Sequence, residues 1–423
     1  MSGLTVEITN YPNAATGTVE VPASIAGLPV TRIGRWAFDY CSGLTSITLP
    51  ATITEIGENA FQDCEGMTSI TLPAGITAIG NYAFRNCRSL TSVTLPSSLT
   101  SVGGALFEGC SGLLSANVPD NLSGIPSNMF FGCTSLAVVT IPSGITSIGS
   151  NAFSGCRSLA NFSISSGITS IGERAFFGCA ALASIVLPSS VATTGESAFE
   201  GCTGLTSVTM EEGYKLIDSR IFRDCTALTS ITIPAESNFL GAFSFENCTA
   251  LTHVTLQEGV PRVPYGAFSG CTALTDVRLP PGLTEIHLEA FKGCTKLADV
   301  VLPESLTMMG QAAFHGGTGL KEITIPGSLA YVASYAFFGC SGLAKVTFQE
   351  GVGTIDFVAF AGCSSLTSVT FPSSFLAVGR KRILELPKST PRDFSERRPL
   401  DYSWFKNGSV FHDRSWFYDI LPE

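Results

Sequence analysis

Charge is scarce in this chain. Asp, Glu, Lys and Arg supply 14% of its 423 residues, against about 25% in an ordinary soluble protein. The balance is acidic, with a formal net charge of -10 at pH 7. Nucleic acid is excluded as a partner, because neutralising phosphates needs clustered Lys and Arg. Histidine is scarcer still: His253, His287, His315 and His412. None stands in H-E-x-x-H, and neither G-x-S-x-G nor G-x-x-x-x-G-K-[ST] occurs. No C-x-x-C pair occurs, which removes the usual zinc clamp. No apolar run approaches the ~18 residues of a membrane span. The opening residues Met1–Glu7 lack a basic start followed by an apolar stretch, so they do not read as a secretory signal. The expectation is therefore a non-enzymatic protein with no cofactor, no metal and no membrane span.

What the chain has in quantity is repetition. Fourteen Cys fall at Cys41, Cys64, Cys87, Cys110, Cys133, Cys156, Cys179, Cys202, Cys225, Cys248, Cys271, Cys294, Cys340 and Cys363. Every gap is 23 residues except the one in which Gly317 holds the missing place. Three residues before each such position stands a Phe, from Phe38 to Phe360, including Phe314. Three residues after it stands a Leu, from Leu44 to Leu366, with Met67 the one substitute. A fixed period of this length marks a solenoid, and 15 copies run without an insertion.

One unit read from Cys87 gives Leu90, Val93 and Leu95 at L-x-x-h-x-h spacing, ending at Pro96. Its β-branched and hydroxyl residues suit a strand, and Pro ends it because it cannot donate to a ladder. Leu99 and Val102 re-enter the core as a second short strand. The A-F-x-x-C segment, clearest at Ala83-Phe84-Arg85-Asn86-Cys87, reads as one tight helical turn. A single unit has no second layer against which to bury its apolar residues, so units must stack. The Cys column then reads as buried thiols, since free Cys packs as a small hydrophobe and parallel Cβ vectors disfavour disulfides. The Phe column likewise reads as core.

The L-x-x-h-x-L-P strand, the I-G and the A-F-x-x-C turn resemble the BspA-like (Treponema-type) leucine-rich repeats, over about residues 19 to 375. The resemblance implies an α/β repeat solenoid: a right-handed leucine-rich-repeat solenoid of 15 coils of 23 residues. It places a parallel sheet on the concave face, with short second strands and tight helical turns elsewhere. It also implies bacterial or protist surface proteins that bind host or matrix proteins or other cells. Secreted members carry a signal and a wall-anchoring tail, neither of which is visible here. Secreted or cell-surface placement is thus expected by resemblance, with cytoplasmic placement the alternative.

The expected organisation is capping strands and a first irregular repeat in 1–30, the solenoid in 31–375, and a basic and aromatic cap or tail in 376–423. Leu4–Ile8 is expected to pair with the Val19–Val21 segment. Function is expected on the strand positions five and seven after each Cys, which alternate outward. They begin bland, as Ser46 and Thr48. Later the first column runs His253, Asp276, Asp299, Glu322, Lys345, and Arg278 joins from the second. Stacking makes this one patch over five coils. Asp276, Asp299 and Glu322 could hold a cation or a basic partner, or be solvated charge relieved by their neighbours. Trp404 and Trp416 are further contact candidates in the C-terminal part. The leading reading is a monomeric binding protein for a protein or glycan on a cell or matrix surface, in adhesion. An intracellular interaction scaffold is the alternative, and a glycan-active or ice-binding surface a remote one.

Overall fold

A computed structural model describes residues 4–373 except 238 and 357, together with the backbone of strands Ala377–Val378 and Lys381–Arg382. The chain is a parallel-strand solenoid of about 16 turns of ~23 residues, divided into two units, Met1–Leu228 and Thr229–Glu423. Both are built from the same coil.

Each coil contributes to two ladders. The main strand begins five residues after Cys in most coils. In the first unit Thr16–Glu20, Gly43–Thr48 and Ser69–Thr71 pair in parallel, as do Ser184–Leu187 and Ser207–Met210. In the second unit Ser230–Ile233, His253–Leu256 and Asp276–Arg278 form one ladder, and Glu322–Ile325, Lys345–Phe348 and Ser368–Thr370 another. Register is one whole repeat, Ile185 opposite Val208 and Ile231 opposite Val254. The expected second strand is present, two residues long in most coils, as in Glu55–Ile56, Ala78–Ile79 and Ser101–Val102.

The turn leading to Cys is tight but not helical, and no helix occurs among the described residues. Its amides alternate in destination. Asn59, Phe61 and Asp63 donate to the carbonyls of Asn81, Ala83 and Arg85 in the next coil, at 2.9, 2.8 and 2.8 Å. Between them Gln62 and Cys64 close turns onto Asn59 and Phe61 of their own coil. A helix would direct every amide four residues back along its own chain and leave none for stacking. The alternation requires left-handed backbone at two positions per turn, seen at Asn59 (φ 57) and Asp63 (φ 55). Gly, Asn and Asp recur one residue before Cys because they tolerate that conformation.

Inside, successive Phe rings lie in near-parallel stacks. Centroids are 5.0 to 5.7 Å apart from Phe38 to Phe222 in the first unit and 5.0 to 5.5 Å from Phe245 to Phe360 in the second. Such pairs contribute about 0.5–1.5 kcal/mol beyond area burial. All fourteen Cys are buried free thiols, as expected.

The N-terminal cap differs from the expected pairing. Val6–Ile8 pairs not with the Val19–Val21 segment but with Leu28–Ile33, on the second ladder. Thr16–Glu20 covers the main ladder instead. Two ladders each present an edge, so the leading chain divides between them. Tyr11 stacks on Phe38 at 4.8 Å, and the Pro12 carbonyl accepts from Cys41 Sγ at 3.7 Å, closing the two inner columns. The C-terminal cap or tail expected at 376–423 lies outside the described residues, apart from the two short strands.

Candidate functional site: the charged column of the second unit

Strand alternation decides what the main sheet displays. In His253–Leu256, Val254 and Leu256 are buried and His253 is exposed. In Asp276–Arg278, Val277 is buried between two exposed charges. Glu322 and Lys345 are exposed likewise, above buried Ile323 and Val346. Asp299 is exposed too. All six candidates therefore stand on the solvent side of one unit.

The structure joins them as two runs rather than one. His253 lies opposite Asp276, and Thr255 opposite Arg278. Glu322 lies opposite Lys345, whose Nζ is 3.7 Å from Glu322 Oε2. Asp299 sits between on a segment without strand pairing, so the continuous five-coil row expected from the repeat is interrupted there. Like charges directly opposite disfavour close pairing, and Asp299 has a carboxylate on either side. Both partners of the Glu322–Lys345 pair are more than half exposed, so it contributes about 0–1 kcal/mol. His253 Nδ1 lies 2.7 Å from Thr252 Oγ1. Trp404 and Trp416 lie outside the described residues.

A neighbour that charge counting overlooks is Val301, beside Asp299 on the same segment. It is 83% exposed, the most exposed large apolar side chain among the described residues. Alternation does place it outward, but attention to charge passes over it.

The threonines flanking the face have a structural task. Thr68 donates through both N and Oγ1 to the Thr45 carbonyl, at 2.9 and 3.2 Å. Thr275 does the same to Thr252, at 3.0 and 3.1 Å. Thr77 repeats it on the second ladder. These exposed hydroxyls reinforce stacking.

Among the described residues no three His, Cys, Asp or Glu converge as metal ligands; the acidic column is a row. Nor is any helix there long and apolar enough to cross a membrane. The carboxyls pushed above their usual range are Asp39 and Asp218, both mainly by burial. They sit beside the turns, away from the charged column.

This geometry defines a leucine-rich-repeat protein. The chain belongs to the BspA type leucine rich repeat family, whose repeat region matches residues 31–160, 146–275, 215–343 and 261–383. Among solved structures it is similar to a leucine-rich repeat protein from Bacteroides ovatus, with 31% identity, a TM-score of 0.76, and 81% of this chain and 90% of that chain covered. It is also similar to a leucine rich cell surface protein from Faecalibacterium prausnitzii, with 24% identity, a TM-score of 0.46, and 83% and 86% covered. A Treponema pallidum leucine rich repeat protein shares 29% identity over 47% of this chain and 82% of its own, with a TM-score of 0.37. No curated protein matches. Family membership points to a protein-interaction or surface-binding role, and such repeat proteins are generally non-enzymatic scaffolds.

Proposed function

We propose that the exposed main-sheet face between His253 and Lys345 is the recognition surface for a protein partner, and that the protein acts as a monomer in adhesion at a cell or matrix surface. The observation that carries this reading is the contrast between columns. The first unit fills the same outward positions with short side chains such as Ser46, Thr48, Ser69 and Thr71. The second unit replaces them with His253, Asp276, Arg278, Asp299, Glu322 and Lys345, all exposed. Neither the strand nor the stack needs charge there. In this reading residues 1–30 cap the repeat and 31–375 present the surface.

Mixed charges around an apolar side chain suit a protein surface. Asp276, Asp299 and Glu322 accept from Lys or Arg, Arg278 and Lys345 meet carboxylates, and Val301 offers apolar contact. Such complementarity governs association rate and partner choice more than raw affinity.

The test is binding of the intact protein to a panel of matrix proteins, glycans and cell lysates, beside a variant carrying Asp276→Ser, Asp299→Ser and Glu322→Ser. The expected result is a partner whose affinity falls at least tenfold in the variant, while circular dichroism and Tm are unchanged. Raising the salt concentration should weaken the wild-type complex, because exposed charges are screened within ~10 Å at 0.1 M. Equal binding by both proteins overturns the assignment.

A further inference from the structure

We propose that the turn face at Phe131, Ser154 and Phe177 is a glycan-binding site, with one neutral sugar ring seated over Ser154 between the two Phe side chains. Each of the three stands two places before its Cys, so they form one column over three consecutive coils of the unit Met1–Leu228. Backbone bonds join the coils there: Gly132 donates to the Ser154 carbonyl at 2.8 Å and Gly155 to the Phe177 carbonyl at 2.7 Å. The core beside the column is already filled by Phe130, Phe153 and Phe176, stacked at 5.4 and 5.3 Å. The second Phe of Phe130-Phe131 and of Phe176-Phe177 is surplus to that core, and Phe131 is 41% and Phe177 37% exposed. Phe338 holds the same place in the other unit, but its ring packs on His315 and Tyr335 at 5.1 and 5.5 Å. Phe131 makes no ring contact among the described residues, and Phe177 meets the Arg174 guanidinium alone, 5.8 Å from its centroid. The flanking coils carry Glu108 and Glu200 in this column, paired with Arg85 and Arg223, so the aromatic stretch is bounded on both sides.

What lies between the rings points to the ligand. Ser154 is 5% exposed, and its hydroxyl makes no hydrogen bond among the described residues. A hidden hydroxyl without a partner is unfavourable, and the coil does not need one, since Ala361 fills the same place elsewhere. Alternate coils set the two Phe about 10 Å apart, room for two stacking contacts of about 5 Å each. One ring fits the gap. Asn128 and Asn151 stand beside it, each three places before a member of the column. A tight turn joins Asn151 to Ser154, whose amide donates to the Asn151 carbonyl at 3.1 Å. Neither Asn side chain has a hydrogen-bond partner among the described residues. The nearby charges Glu173 and Arg174 lie 3.8 Å apart and offset each other. A neutral sugar matches this set: its C–H face meets the aromatic rings, and its hydroxyls both donate and accept, as Ser and Asn require. An extended peptide fits less well, because it binds through backbone groups and those of the adjoining glycines are engaged. The Gly178 amide donates to the Glu200 carbonyl at 2.8 Å, and the Gly132 and Gly155 carbonyls accept from Thr134 and Arg157, both at 2.9 Å.

The test is binding of the full chain to an array of neutral oligosaccharides of glucose, N-acetylglucosamine, mannose and galactose, with peptides rich in Phe, Tyr and Pro beside them. The best binder is then titrated by calorimetry. The expected result is a sugar complex whose affinity falls at least tenfold in Phe131→Ser and in Phe177→Ser, and several-fold in Ser154→Ala, with circular dichroism and Tm unchanged. Phe131→Tyr keeps the aromatic face and should keep binding. Ser154→Phe supplies the missing ring from the chain itself, so it should abolish binding with the fold intact. The variant carrying Asp276→Ser, Asp299→Ser and Glu322→Ser should bind the sugar as the parent does, which separates this site from the charged column. Absence of binding to every sugar at millimolar concentration overturns the proposal. So does a sugar complex that Ser154→Phe leaves unchanged, or one lost in the triple serine variant. Capture of the peptides alone, lost in Ser154→Phe, assigns the gap to a protein side chain and overturns it as well.

Discussion

A buried peptide carbonyl has two acceptor sites, and the cysteine column supplies the second donor. The Phe38 carbonyl accepts the Cys41 amide at 3.2 Å and the Cys64 thiol at 3.1 Å. The Phe61 carbonyl repeats this with Cys64 and Cys87. Cys is both a small hydrophobe and a weak donor, so it fills the column where Ala would leave the site unmet and Ser would bury a more polar group. The periodicity made the column legible as buried thiols, but not its partner, because the contact joins residues 26 apart rather than 23. Burial raises these thiols, Cys202 and Cys271 to about 12 from an ordinary 9.0. A folded-state pKa raised above the unfolded one contributes stability below the unfolded value and loses it as pH rises toward the folded value. Between pH 9 and 12 the unfolded chain releases these protons while the folded chain holds them. The expected outcome is a Tm that falls steeply from pH 9 upward. The Cys202→Ala, Cys271→Ala variant should have a lower Tm at pH 7 and a shallower alkaline slope. Equal slopes in both proteins would show that the thiols do not govern alkaline unfolding.

At the scale of the element, the strands were legible because alternation and the terminal proline leave one solution. The turn was less so. F-x-x-C spacing fits a helical turn and a tandem turn equally, since both return a side chain to the same side after three residues. The discriminating signal lay in Gly, Asn and Asp one place before Cys, where the backbone is left-handed: Gly132 (φ 72), Asn86 (φ 57), Asp63 (φ 55). Pairing of the N-terminal strands was not legible at all, because Val6–Ile8 suits either ladder edge and only stacking selects. The turn also identifies a repairable defect. Gly317 stands where the other coils carry Cys, and its backbone is not left-handed. A Cβ built there comes to 3.1 Å from the Phe314 carbonyl and 3.6 Å from Cys340 Sγ. The first is tight but intrinsic to a column whose other members accept it, and the second is ordinary contact. Gly317→Cys should therefore stabilise the protein by about 1 kcal/mol, the scale of cavity filling, measured as a higher urea midpoint at unchanged m-value. A lower midpoint would mean that the coil has relaxed around the glycine.

Across the whole molecule, what the sequence made plain is the repeat, and what it left open is where the repeat is broken for a purpose. Outward placement of His253, Asp276 and Glu322 followed from strand period alone. The lost pairing at Asp299 did not, because strand period fixes which way a side chain faces and not whether neighbouring coils pair there. The gap between Phe131 and Phe177 was overlooked because a second Phe beside the buried column reads as more core. The repeat itself sets a further test. In a solenoid each coil contacts its neighbours, so stability is a sum of coil and interface contributions. Removing residues 65–87 joins Cys64 to Arg88 and brings one whole coil out in register. Ile47 would then meet Val93 in place of Ile70, which is equivalent packing. That deletion should leave a cooperatively folded protein with Tm lowered by only a few degrees, the shift about 1 kcal/mol produces in a domain of 150–250 residues. Removing Ile70 alone takes out less material but should do more harm. It shifts Thr71 into the core position of the strand and Leu72 to its outer face, reversing the side chains beyond the cut. Thermal melts of the two deletions decide the matter: a larger Tm loss from 23 residues than from one would show that register is not what holds the coils together.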